Sequence, residues 1–175
     1  MTRRLLLLRH AEAAPPPAGD FSETADLARP LTAAGRAAAQ RCGVWLRQHT
    51  LSPDLVLCSP SVRTRQTLEG LLPFQLPPAF PTRFCPEIYE APPEALLAQI
   101  RTAPVQARTV LLIGHNPGIS ALARLLDQQA IALDQGFATA SLAVFSMWGS
   151  DTGTDTPNWA QCDGQSLTLD TFARP

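Results

Sequence analysis

The sequence predicts an α/β fold, with helices packed on a mostly parallel sheet, and three observations carry that prediction. Short apolar runs recur at residues 5–8 (LLLL), 54–58 (DLVLC) and 109–113 (TVLLI), as expected of strands covered on both faces. Each is followed by a stretch whose apolar residues repeat at helical spacing, so strands and helices alternate. The chain has 175 residues, 45% of them hydrophobic, enough for one domain over 1–175 with its own core.

The elements follow in order. The run 5–8 is the first strand. Residues 13–30, with three consecutive prolines and Gly19, read as a long loop. Thr32 reads as an N-cap, and Ala34, Ala38, Cys42, Trp45 and Leu46 mark one face of the next helix, weakened by Gly35 and Gly43. Strand 54–58 runs into Ser59-Pro60, a cap followed by proline, and a helix to about Leu72. Prolines 73, 77, 78 and 81 keep most of the stretch up to Pro86 irregular. Pro92-Pro93 opens a helix with Leu96, Leu97 and Ile100 on its apolar face. After strand 109–113, Ile119, Leu122, Ala123 and Leu126 form the face of another helix. Residues 141–148 and 166–172 read as C-terminal strands around a Gly/Asp/Thr-rich turn at 149–157, giving the sheet a mixed or antiparallel edge.

Composition excludes several classes of chemistry. All 14 basic residues are Arg, so no Schiff base, pyridoxal anchor or P-loop lysine is possible. Three histidines, at 10, 49 and 115, cannot make a histidine-rich metal cluster. A net charge of −1 argues against nucleic acid or an anionic membrane as partner. Cys42, Cys58, Cys85 and Cys162 form no C-x-x-C pair and read as buried thiols of a reducing compartment. The leucine run is too short for a signal peptide or a membrane span, so a cytoplasmic protein is expected.

In parallel sheets ligands bind beyond the carboxyl ends of strands. That rule selects Arg9-His10, the segment from Ser59 to Arg63, and His115-Asn116. Helix starts there offer free N–H groups, and Arg forks suit the oxygens of a phosphoryl group. A neutral imidazole is a competent nucleophile toward phosphorus, and a second can donate a hydrogen bond as charge builds. An Arg-His pair alone would carry little; the three strand ends together carry the reading. His49 reads instead as a dipole partner at a helix C-terminus, Arg65 as surface or ion-paired, and Trp45 as core. Ser59 reads as a helix cap, and Asp26 with Arg29 as a lock on the loop.

These residues carry a resemblance. LLLLRHAE resembles the Arg-His signature of the histidine phosphatase (phosphoglycerate mutase-like) superfamily. ARPLTAAGRAAAQRCGVWL, DLVLCSPSVRTRQT, PEIYEAPPE and TVLLIGHNPGIS follow in that family's order, most like its short SixA-like branch. The resemblance implies a three-layer α/β/α sandwich around a mostly parallel mixed sheet. It implies His10 as the phosphorylated nucleophile, with Arg9, Arg63 and His115, joined by Asn116, around the phosphate. The usual glycine after the histidine is Ala11 here, as is common in the short branch. Longer relatives carry a proton donor at the position of Glu87, with Glu90 and Glu12 as competitors in this chain. No metal or organic cofactor is implied. The substrate expected is a phosphohistidine protein; a small phosphomonoester is the alternative, and a non-catalytic phosphate-binding module is the alternative of another class. Whether the chain is a monomer or a dimer is not legible.

Overall fold

The computed structural model describes residues 2–74, 81–147, 158–164 and 166–175. The three apolar runs become adjacent parallel strands: β1 (Arg3–Arg9), β2 (Leu55–Cys58) and β4 (Thr109–Gly114). A short strand β3 (Thr82–Phe84) adds to β2, while β5 (Leu142–Met147) and β6 (Leu167–Ala173) complete a six-stranded sheet in the order β3-β2-β4-β1-β5-β6. The first four are parallel; β5 runs antiparallel to β1, and β6 antiparallel to β5.

The leucine run shows how the layers arise. Successive residues of a strand point to opposite faces. Leu5 and Leu7 join a core with α4 (Pro93–Arg101) and α5 (Gly118–Leu126), whereas Leu6 and Leu8 join a second core with α2 (Ala33–Gln48) and α3 (Val62–Leu71). One strand therefore feeds two cores, and the result is the expected α/β/α sandwich. The predicted faces of α4 and α5 are buried as read, and the four cysteines are free and buried. No helix among the described residues is long and apolar enough to cross a membrane.

Four local expectations are corrected. Residues 13–30 are not wholly loop, because Ser22 caps a short helix α1 (Glu23–Leu27). Pro81 is followed directly by β3, an edge strand whose side chains are half-buried or exposed and so leave little apolar pattern. Helix α3 is capped by Ser61, not Ser59, its hydroxyl accepting from the Thr64 N–H. In α2 the cap at Thr32 holds, but the buried face is Gly35, Ala39, Cys42, Gly43 and Leu46; Ala34 is exposed and Trp45 is only half-buried. Trp148, prolines 77 and 78, and the turn at 149–157 lie outside the described residues.

Gly35 explains the rotation of that face. A Cβ there would lie 2.0 Å from the main-chain oxygen of Glu12, so the helix backs directly onto the chain leaving β1. Propensity alone would make Gly35→Ala stabilising by about 1 kcal/mol. The close approach predicts the opposite sign, a loss of about 1–3 kcal/mol from overpacking. Urea unfolding of the variant checks this; an unchanged or raised midpoint would contradict the contact.

Candidate active site

Three parallel strands end side by side, and their ends place the candidate residues. The ladder continues past β1 and β2: the His10 N–H donates to the Gly114 carbonyl at 3.1 Å and the Ser59 N–H to the Ile113 carbonyl at 3.1 Å. His10, Ser59 and His115 are thereby held at one edge of the sheet. The rings of His10 and His115 lie 5.2 Å apart, and both residues are buried.

His10 Nδ1 lies 2.7 Å from the Ala11 carbonyl oxygen. A carbonyl can only accept, so Nδ1 carries a hydrogen and Nε2 of the neutral ring carries the lone pair. Ala11 is tied on its other side: its N–H, in the peptide that joins it to His10, donates to Thr67 Oγ1 at 3.0 Å, and the Thr67 hydroxyl donates to the Arg63 carbonyl at 2.7 Å. Burial pushes the His10 imidazole down to about 4; the Ala11 hydrogen bond opposes this, while Arg63, Arg9 and Arg29 add to it.

His115 follows β4. Its Nε2 is 2.8 Å from Ser59 Oγ, and its Nδ1 is buried with no partner among the described residues. Burial first, then Arg63 and His10, push this ring down to about 3, with Asp26 opposing. Tyr89 meets it edge-on at 5.5 Å.

Arg63, 4% exposed, is the second residue of α3. It donates to the Asp26 carbonyl at 2.7 Å and to Asp26 Oδ2 at 2.9 Å. Asp26 also accepts from Tyr89 Oη at 2.6 Å and from Arg29 at 2.9 Å. Burial opposes ionisation of this carboxyl, but those donors hold it below the usual carboxylate range. The expected lock formed by Asp26 and Arg29 therefore exists, and it extends to Arg63.

Arg9 donates to the Phe137 carbonyl at 2.7 Å, and its Nε is buried without a partner among the described residues. Asn116 donates to the same carbonyl at 2.8 Å and accepts from Ser120 at 2.8 Å. Its amide is thus anchored on the segment that holds Arg9, with one of its two N–H donors engaged there.

The structure does not join the three glutamates to this cluster. Glu87 is exposed on the turn Pro86–Ile88, with no hydrogen bond or ion pair to either imidazole, and its charge acts on Cys85. Glu12 accepts from Thr32 Oγ1 at 2.7 Å. Glu90, at φ 48°, lines a groove of about 390 Å³ with Asp20, Glu23 and Asp26. The carboxylate whose charge acts on His115 is Asp26. His49 lies apart, stacked on Trp45 at the end of α2, and Arg65 lies over the Phe84 ring. Among the described residues, no group of three or more His, Cys, Asp or Glu side chains could hold a metal ion.

Sequence reading missed Asp26, Tyr89, Thr67 and Ser59 as parts of the site. Tyr89 stands within PEIYE and Thr67 within VRTRQT, four residues after Arg63 and so on the same helix face.

The buried imidazoles predict a pH dependence of stability. Both take a proton near 6.5 when unfolded, but only near 4 and 3 when folded. The unfolded chain therefore binds more protons in that interval, so stability is complete above about 6.5 and falls as pH drops below it. Urea midpoints between pH ~7.5 and ~4.5 check this. The slope is expected to shrink in His10→Asn and in His115→Asn; equal slopes in all three proteins would contradict it.

The chain matches the family model of the histidine phosphatase superfamily (branch 1) over residues 5–85. An uncharacterised protein of Mycobacterium tuberculosis strain H37Rv is 33% identical over 81% of this chain and 88% of its own length. A candidate phosphohistidine phosphatase SixA from Nakamurella multipartitia superposes with a TM-score of 0.80 at 31% identity, covering 100% of this chain and 97% of its own. The protein histidine phosphatase SixA complexed with tungstate shares the fold, with a TM-score of 0.74 at 22% identity over 98% of this chain and 96% of its own. A nucleophile-ready imidazole among arginines, on this sheet and with these relatives, leads to one assignment: the chain belongs to the histidine phosphatase superfamily, in its SixA-like branch, and is a phosphatase.

Proposed function

We propose that this phosphatase works through a phosphohistidine on His10, as a single domain over 1–175, and that its substrate is phosphohistidine in a protein. The observation that carries the reading is the fixed tautomer of His10. With Nδ1–H held by Ala11, the Nε2 lone pair is free, and burial keeps it unprotonated at neutral pH. Around it, Arg9 Nε and His115 Nδ1 are buried without partners. Buried polar atoms are nearly always satisfied, and a phosphoryl group supplies the acceptors that these two need.

The reaction then has two steps. Nε2 attacks phosphorus as the bond from phosphorus to the substrate's ring nitrogen breaks, and the substrate's imidazole, already protonated on its other ring nitrogen, takes the bonding pair and leaves as a neutral ring. The His10 ring becomes a cation, which the Ala11 carbonyl stabilises through Nδ1–H. Arg9, Arg63 and His115 donate to the phosphoryl oxygens as charge builds on them. Water next attacks phosphorus, the P–Nε2 bond breaks, and phosphate departs, returning His10 to its neutral form.

Two further observations favour a phosphohistidine over an alkyl phosphate. None of Glu12, Glu87 and Glu90 touches the imidazoles, and Asp26 is held ionised, so among the described residues no carboxylic acid stands ready to protonate an alkoxide. The matched SixA proteins bear the name of phosphohistidine phosphatases.

The test compares turnover of a phosphohistidine protein with that of a panel of metabolite monoesters, and traps label on the enzyme. Wild type is expected to carry acid-labile, alkali-stable label, and His10→Asn none. Arg63→Ala should lower kcat/KM by about 10²–10³. The phosphoramidate should be preferred by at least about tenfold. A preference for one monoester would transfer the assignment to a small-molecule phosphomonoesterase. Label at equal level in both proteins would remove His10 as nucleophile, and phosphate binding without turnover would leave a binding module.

A further inference from the structure

We propose that Ser59 is a positioning residue that fixes the tautomer of His115, so that its Nδ1–H faces the phosphoryl group. The inference deepens the phosphatase reading and rests on it. Ser59 is fully buried, and its hydroxyl lies 2.8 Å from His115 Nε2. A hydroxyl brings one hydrogen that needs an acceptor. Among the described residues the hydroxyl is hydrogen-bonded to His115 Nε2 and to no other group, and the N-cap of α3 is Ser61. If Nε2 carried the proton and donated to Ser59, the serine hydrogen would be buried and unsatisfied. With a phosphoryl group bound, the arrangement that satisfies both buried hydrogens has Ser59 donating to the Nε2 lone pair and Nδ1–H donating to a phosphoryl oxygen.

The neutral imidazole then has its single hydrogen on Nδ1, the nitrogen left buried and unpartnered. Phosphoryl oxygens only accept, so Nδ1 must be a donor to help them. The opposite tautomer would turn a lone pair toward them. Ring protonation could supply both hydrogens, but burial and the charges of Arg63 and Arg9 oppose it, with only Asp26 in its favour.

The serine is itself fixed. Its N–H donates to Ile113 at 3.1 Å, and its carbonyl accepts from Thr64 Oγ1 at 2.7 Å. Both ends of its peptide are therefore held while the side chain addresses the ring. The hydroxyl acts on catalysis only through His115 and touches no reacting atom.

Long-range proton–nitrogen correlation spectra of the ¹⁵N-histidine-labelled wild-type protein test this directly. His115 is expected with Nδ1 protonated and Nε2 bearing the lone pair. A protonated Nε2 in wild type overturns the proposal whatever the activity. In Ser59→Ala the tautomers should mix, and kcat should fall by about 10–100-fold with KM little changed. Ser59→Thr, which restores the hydroxyl, should recover the wild-type spectrum and much of kcat. An alanine variant with the wild-type tautomer and full kcat would refute the assignment. If wild type turned over no phosphorylated substrate, the phosphatase reading would fail, while the spectrum would still decide the tautomer.

Discussion

The hydrogen bond from His10 Nδ1 to the Ala11 carbonyl is the constraint on which the site depends. An imidazole can present either nitrogen as a nucleophile, and only an external acceptor decides which one. Here the acceptor is the carbonyl of the next residue, and that residue is tied to α3. Thr67 binds its N–H and passes its own hydrogen to Arg63, four residues earlier on α3. The helix that presents the Arg63 guanidinium thus also anchors the residue that fixes the His10 tautomer. A shift of α3 would disturb both together. Asp26, from a third element, accepts from the Arg63 guanidinium at both its main-chain carbonyl and its carboxylate.

The electrostatics make the same site unstable by design of its function. Two neutral imidazoles are buried among arginines, and Asp26 is the carboxylate that offsets them. Arginine suits this role where lysine would not. Its guanidinium keeps its charge when desolvated, whereas a buried ammonium readily loses its proton. Burial and Arg174 lower the Arg9 pKa from its usual value, yet a guanidinium starts far above neutrality. A chain without lysine therefore loses nothing at this pocket. Its unsatisfied donors, which weaken the folded state, are the same atoms that a phosphoryl group would satisfy.

How much of this was legible depends on whether the signal was local. Continuous apolar runs marked β1, β2 and β4, and their ends located His10, His115 and Arg63 because parallel strands bring their carboxyl ends together. The face of α2 was misread because five of the first seven of its residues are alanines, which give little contrast between faces. Gly35 was the informative residue, and its meaning lay in the approach of Glu12 rather than in helix propensity. In the run S-P-S either serine could cap α3, and sequence alone had no means of knowing that the first would face His115. Asp26 stands 37 residues from Arg63, and nothing between them announces the pair. β3 was hidden because an exposed three-residue edge strand carries almost no pattern.

The proton donor shows where resemblance and geometry part. Position suggested Glu87, but an acid must reach the leaving group, and Glu87 is exposed on a turn without contact to either ring. Asp26 is near enough to act on His115, but Arg63, Arg29 and Tyr89 keep it ionised, so it stabilises positive charge and gives no proton. A site so equipped handles best a substrate whose leaving group arrives already able to take its proton. An imidazole nitrogen does so with a pKa near neutrality, while an alkoxide does not. Under the proposed function, the lack of an acid beside His10 among the described residues would be a selective feature: arginines and histidines would hold the phosphoryl group, and the chemistry of the bond being broken would discriminate between substrates.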